Sequence, residues 1–229
     1  MALQSALGRL GELATASVPA DLRAWAEVIA APSGRLPLLG TGLRAAAYPA
    51  LLWNGARLHR AGVPDDDGLV LVALTAAPRE ADAADVDRAV TVARAVAAGM
   101  PDVLGDGPVT GRPTTGVVAA AACAAVAGGT EPARLGPVLD VAASLMVVRP
   151  PAGGTPREAG LWAGHCLAAG WLAPLVLRAG LTGMADALAH TVSTVTGRPA
   201  RELRGDPSAG VPATDPTGSS AGNLLARLT

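Results

Sequence analysis

The run Gly160-Leu-Trp-Ala-Gly-His-Cys-Leu-Ala-Ala-Gly-Trp-Leu-Ala-Pro-Leu-Val-Leu-Arg-Ala-Gly-Leu-Thr-Gly183 narrows what this chain can fold into more than any other stretch. It reads as an apolar helix carrying small residues at Gly164, Ala168 and Gly170, closed by Gly180 and restarted after Thr182-Gly183. Small residues on a buried helical face let a second helix approach closely, and a glycine past the last turn supplies the left-handed cap. The segment therefore predicts a packed helical hairpin.

The rest of the chain agrees with close helix packing. Of its 229 residues 50% are hydrophobic, yet only 2% are aromatic, with no phenylalanine and one tyrosine, Tyr48. Much of the apolar share is alanine, which favours close-packed helices over sheets. Leu3, Leu7, Leu10 and Leu13 mark a first helix, Ala2 to Ala16. A second follows, with Pro19 in its first turn and Leu22, Trp25 and Ile29 inward. A third runs from about Leu43 to His59, bent by Pro49. Asp65-Asp66-Asp67-Gly68 reads as a turn and Leu69 to Ala77 as a buried helix, although propensity alone allows a strand. Asp82 to Ala98 is the clearest helix, capped by Gly99, and 105–113 is a loop. Gly116 to Ala127 and Glu131 to Val148 follow, then a linker from Pro150. Ala185 to Thr196 closes the ordered part. The expectation is an all-α bundle over residues 1–197 and a Pro/Gly/Ser-rich, disordered tail over 198–229, with a short helix at Leu224 to Leu228.

The formal net charge of −1, with no basic cluster interleaved with aromatics, argues against nucleic acid. All 18 basic residues are arginine, which removes Schiff-base and lysine acid chemistry. Cys123 and Cys166 lie in alanine-rich surroundings without metal-ligand spacing and read as buried structural thiols. The beginning, Met-Ala-Leu-Gln-Ser-Ala-Leu-Gly-Arg, lacks signal-peptide character. The charge-free windows Thr114 to Thr130 and Gly160 to Leu177 reach only the lower limit for a membrane span. A cytoplasmic protein without a membrane partner is expected.

Three segments resemble the MmgE/PrpD family, which includes 2-methylcitrate dehydratase and cis-aconitate decarboxylase. The first is Leu39-Gly-Thr-Gly-Leu-Arg-Ala-Ala-Ala-Tyr-Pro-Ala-Leu-Leu-Trp-Asn-Gly-Ala-Arg-Leu-His59, followed by Asp65-Asp66; it is similar to the family's Asn-Gly-Ala-x-x-His element and paired aspartates. The second is Arg112-Pro-Thr-Thr-Gly-Val-Val-Ala-Ala-Ala-Ala, continuing through Pro137 to Met146, which looks like the family's His-Pro-Thr segment and its two following helices. The third is the glycine-notched run itself. They occur in family order and span about Leu3 to Thr196. The resemblance implies the family's large helical domain, without the smaller α/β domain that closes over the active site, and a homodimer. It also implies a site that binds a small polycarboxylate and removes a proton next to a carboxylate, with no cofactor and no metal.

His59 and Asp65 match the family's pattern, and in a diverged enzyme His59, Asp65 and His165 are the candidates for proton transfer. Asn54, Asp66, Arg112, Thr114 and Arg157 are the candidates for substrate binding. The departures are plain. Gly62 and Pro64 stand where the family has aspartate, Arg112 where it has histidine, and Ala159 where it has lysine, with Arg157 two residues away. An arginine can grip a carboxylate but cannot serve as a base near neutral pH. Each candidate also has a plainer reading. His59 suits a helix end, His165 a packed core, Asp65 to Asp67 a turn and Arg112 a solvated loop, while Trp162 and Trp171 suit core or interface anchors. His190 lies on a polar helix side. Two functions remain open. One is a diverged lyase or isomerase acting on a small carboxylic acid or natural-product intermediate. The other is a non-catalytic binding or scaffold relative that dimerises or pairs with a full-length family member.

Overall fold

A computed structural model describes residues 2–104, 112–147 and 155–196. The expected tail, residues 105–111 of the expected loop and 150–154 of the expected linker lie outside them, while Arg112 and Pro113, expected in that loop, open a helix. Among the described residues the chain forms α1 (Ala2–Thr15), α2 (Ala20–Ile29), β1 (Leu36–Pro37), β2 (Arg44–Ala45), α3 (Ala47–Arg60) and α4 (Asp65–Ala76). These are followed by α5 (Ala83–Leu104), α6 (Arg112–Ala127), a 3-10 turn at Pro132–Arg134, α7 (Gly136–Ser144), α8 (Pro156–Arg178) and α9 (Ala187–Thr196). The all-α expectation holds at this level, with one small exception. The two short strands pair antiparallel, Leu36 with Ala45 and Pro37 with Arg44.

The apolar run is the axis of the molecule. Helix α8 packs on α3, α6 and α7 together, and its glycines mark where backbones meet. A β-carbon on Gly164 would lie 2.8 Å from the carbonyl carbon of Leu52 and 3.2 Å from the amide nitrogen of Ala56, both on α3. One on Gly170 would lie 2.7 Å from the Val117 carbonyl oxygen and 2.8 Å from the Ala121 nitrogen, on α6. Gly55 answers Gly164 from the α3 side, its notional β-carbon 2.7 Å from the Gly164 Cα. Thus α8 carries two notches, one for each neighbouring helix. Its start is fixed by a capping box between Thr155 and Glu158. Its end is a Schellman turn, with Gly180 (φ 84) donating to the Leu177 carbonyl and Leu181 to that of Val176.

Several sequence expectations shift in detail. The Asp65–Gly68 stretch is the first turn of α4, not a free turn. Acidic residues are favoured at a helix N-terminus, and Pro64 immediately before them serves as N-cap. Leu43 to Ala46 is not helical, because Arg44 and Ala45 are drawn into the hairpin, and Pro49 sits harmlessly in the first turn of α3. Gly99 does not end α5, which continues to Leu104. The expected helix Glu131 to Val148 divides into the 3-10 turn and α7, because Pro137 has no N–H with which to extend a preceding helix.

The buried residues form two clusters. The larger draws alanine, valine and leucine from α1 and from α3 through α9, with Met100 and Leu139 fully enclosed. The smaller gathers Val18, Leu22, Ala26, Leu38, Ala45, Ala50 and Trp53 beneath the hairpin. There Trp25 meets Trp53 edge-on at 5.3 Å between ring centroids.

Candidate functional site

The site candidates fall on α3, the first turn of α4, the start of α6, and the start and middle of α8. His59 lies in the last turn of α3 and Asp65 in the first turn of α4, joined by the turn at Gly62. Both side chains are exposed. Asp66, half-buried beside them, accepts from Arg94 of α5, with Oδ2 2.9 Å from the arginine Nε. The next residue, Asp67, is enclosed at 1% side-chain exposure and takes a bidentate grip from Arg9 of α1, at 2.6 and 2.7 Å. The aspartate run therefore works largely as a fastener, holding α1 and α5 to the start of α4.

Asn54 is buried on the inner face of α3 and its amide is spent on the hairpin loop. Its Oδ1 accepts from the Leu39 N–H at 2.9 Å, and its Nδ2 donates to the Pro37 carbonyl at 3.0 Å. The bond it makes is that of a structural pin. His165 is half-buried on α8 with Nε2 3.3 Å from the Leu145 carbonyl oxygen, at the end of α7. Its neighbour Cys166 looks elsewhere. A β-carbon on Gly116 of α6 would lie 3.1 Å from the Cys166 β-carbon, and the Asp65 charge reaches the thiol. The structure thus places Cys166 against Gly116 of α6 and within reach of the Asp65 charge, while His59 lies six residues before Asp65 in the chain. It aims His165 at α7 instead. Arg112 and Thr114 lie at the start of α6 and Arg157 at the start of α8, but their side chains are outside the described residues. His190 is exposed on α9.

Both thiols are unreactive by environment. Burial pushes Cys166 up to about 12, with the Val117 N–H pulling back and the Asp65 charge adding to the rise. Burial likewise pushes Cys123 up to about 12, and its Sγ lies 3.3 Å from the Leu69 carbonyl oxygen. Both remain protonated at neutral pH, so neither is a nucleophile there. Among the described residues no group of three His, Cys, Asp or Glu side chains is placed to hold a metal ion.

Sequence reading overlooked the polar residues that the fold uses most. Arg9 and Arg94 clamp the aspartates. Asp140, on α7, reaches the start of α9, its Oδ1 3.2 Å from the Leu188 nitrogen. Arg57 lies buried on α3 three residues after Asn54. The signal for Arg57 was present, since i and i+3 share a helix face and Asn54 faces inward. The partners of Arg9, Arg94 and Asp140 are 28 or more residues away and left no local mark.

Among the described residues α8, from Glu158 to Arg178, is the one helix long and apolar enough to cross a membrane by length and composition. Here it packs against α3, α4, α6 and α7. Comparison with family models, with curated proteins and with solved structures finds no match for this chain.

Proposed function

We propose that this chain is a non-catalytic binding or scaffold protein of the cytoplasm, built on a helical domain like that of the MmgE/PrpD family and working as a homodimer or beside a fuller relative. The observation that carries the reading is the exposure of His59 and Asp65. Proton abstraction next to a carboxylate needs its base held in an enclosed site, where charge is not screened by water. The other polar candidates whose side chains are described have partners as well. Asn54 pins the hairpin, Asp66 pairs with Arg94, and His165 approaches the Leu145 carbonyl.

A diverged lyase or isomerase is the second reading. It draws on the Asp65 charge acting on Cys166, which packs against Gly116 of α6. In that reading His59 or Asp65 takes the proton, His165 assists, and Arg112, Thr114 and Arg157 hold the carboxylates of a small acid or natural-product intermediate.

The two readings separate in one experiment. The purified chain is incubated with a panel of di- and tricarboxylic acids, following ultraviolet absorbance for a double bond conjugated to a carboxylate, while native mass spectrometry records its assembly. The scaffold reading expects no turnover and a dimer. Turnover that drops in His59→Ala and Asp65→Asn would overturn it in favour of the lyase. A monomer would remove self-pairing.

A further inference from the structure

Arg57 belongs to none of the arrangements above. Its side chain sits on the inner face of α3, one helical turn beyond Trp53 and Asn54, and the residue is only 6% exposed. Nη2 donates to the Ser17 carbonyl at 2.7 Å, in the turn between α1 and α2. Nε is enclosed and has no acceptor. It is the one guanidinium nitrogen that is both enclosed and unpaired, so the Nη1 end keeps contact with solvent. Among the described residues no carboxylate pairs with Arg57.

This is an unusual state for a charge. A guanidinium remains protonated even when burial lowers its affinity for the proton, as it does here. A buried ion is ordinarily matched by a counter-ion, and a single carbonyl dipole is a poor substitute. The backbone around it is firmly built. Gly40 (φ 83) is packed so tightly on the Ala16–Val18 turn that a β-carbon there would lie 2.7 Å from the Ala16 carbonyl oxygen. Asn54 holds the Leu39 N–H of the same loop. The turn that carries the Ser17 carbonyl, and the loop packed on it, are therefore held by their own contacts.

We propose that Arg57 anchors a binding site for a small carboxylate at the junction of α3, the α1–α2 turn and the Leu38–Leu43 loop, the ligand supplying the counter-charge that the described residues lack. One guanidinium offers one positive charge and one planar fork. That complements a carboxylate better than a phosphate dianion, which would need a second cation. Arg57 is not among the residues considered for proton transfer or substrate binding, so the site stands whether the chain is a scaffold or an enzyme.

The test uses the full chain titrated with sodium succinate at constant ionic strength. Melting temperature is recorded, together with the NMR resonance of the Arg57 Nε–H. The wild type should show a saturable movement of that resonance and a rising melting temperature. Arg57→Met should lose the succinate-dependent rise, and Arg57→Lys should bind at least tenfold more weakly, because an ammonium lacks the fork. A wild-type resonance that does not move refutes the site, and that measurement needs no variant to fold. An equal succinate-dependent rise in wild type and Arg57→Met refutes it also. Inorganic phosphate binding as tightly as succinate would overturn the assignment to carboxylates.

Discussion

Replacing Gly164 by alanine tests the central packing of the molecule. In an ordinary helix interior the change stabilises by about 1 kcal/mol, through propensity alone. At this position the new methyl would sit 2.8 Å from the Leu52 carbonyl carbon, closer still to its oxygen, and 3.2 Å from the Ala56 nitrogen. All three are backbone atoms of α3, so no side-chain rotation relieves them. Ordinary carbon contacts begin at about 3.5 Å, which requires α3 and α8 to part by on the order of 1 Å and weakens dispersion along their whole seam. Overpacking a core costs about 1–3 kcal/mol where neighbours can adjust. With backbone on the far side the upper end or more is expected, for a net loss of about 2–3 kcal/mol after the propensity gain. For a chain of this size that is a fall in melting temperature of about 4–12 °C. Gly8→Ala is the matched control, since a β-carbon there meets nothing within 4 Å and only the propensity gain remains. Urea unfolding followed by far-ultraviolet circular dichroism measures both. If Gly164→Ala is as stable as the wild type, or gains as Gly8→Ala does, the close crossing of α3 and α8 is refuted.

Further outcomes follow from the polar contacts. Asn54→Ala leaves the Leu39 N–H unpaired and should cost about 2 kcal/mol in urea unfolding, whereas exposed His59→Ala should change stability by less than about 0.5 kcal/mol. Burial raises the Asp140 carboxyl above its ordinary 3.8, the Leu188 N–H pulls back, and the Asp186 charge adds to the rise. The folded state then holds that proton more tightly than the unfolded chain. Its contribution is complete below pH 3.8 and is lost as pH climbs through the raised folded value. The melting temperature of wild type relative to Asp140→Asn should therefore decline as pH rises above 3.8, and a constant difference would contradict the sign. With both thiols pushed up to about 12, Cys123 and Cys166 should resist a disulfide-exchange reagent in native protein at neutral pH and react once urea unfolds the chain.

Much of the architecture was legible because helix signals are local. The period of Leu3, Leu10 and Leu13, the alanine-rich Gly116 to Ala127 and the glycine at 180 each act within a turn or two of chain. The notches at Gly164 and Gly170 announced close helix contact before any partner was known. Where the reading slipped, the deciding contact was non-local or stereochemical. Arg44 and Ala45 left the helix because Leu36 and Pro37 were there to pair with them. The helix expected over Glu131 to Val148 broke at Pro137, whose missing N–H cannot continue a preceding helix.

The candidate site was less legible for the same reason. Side-chain types could nominate His59, Asp65, Asp66 and Asn54, but direction and partner decide what such groups do. Asn54 turned inward to bond Leu39 and Pro37, and Asp67 closed on Arg9, 58 residues away in the chain. The sequence by itself determined the helices, their caps and the small-residue seams, since those depend on backbone propensity and spacing. Only the tertiary structure decided that α8 would be the axis, that the aspartates would fasten α1 and α5, and that Arg57 would be enclosed without a counter-ion. Burial and charge pairing arise when distant segments meet, and no local window records that meeting.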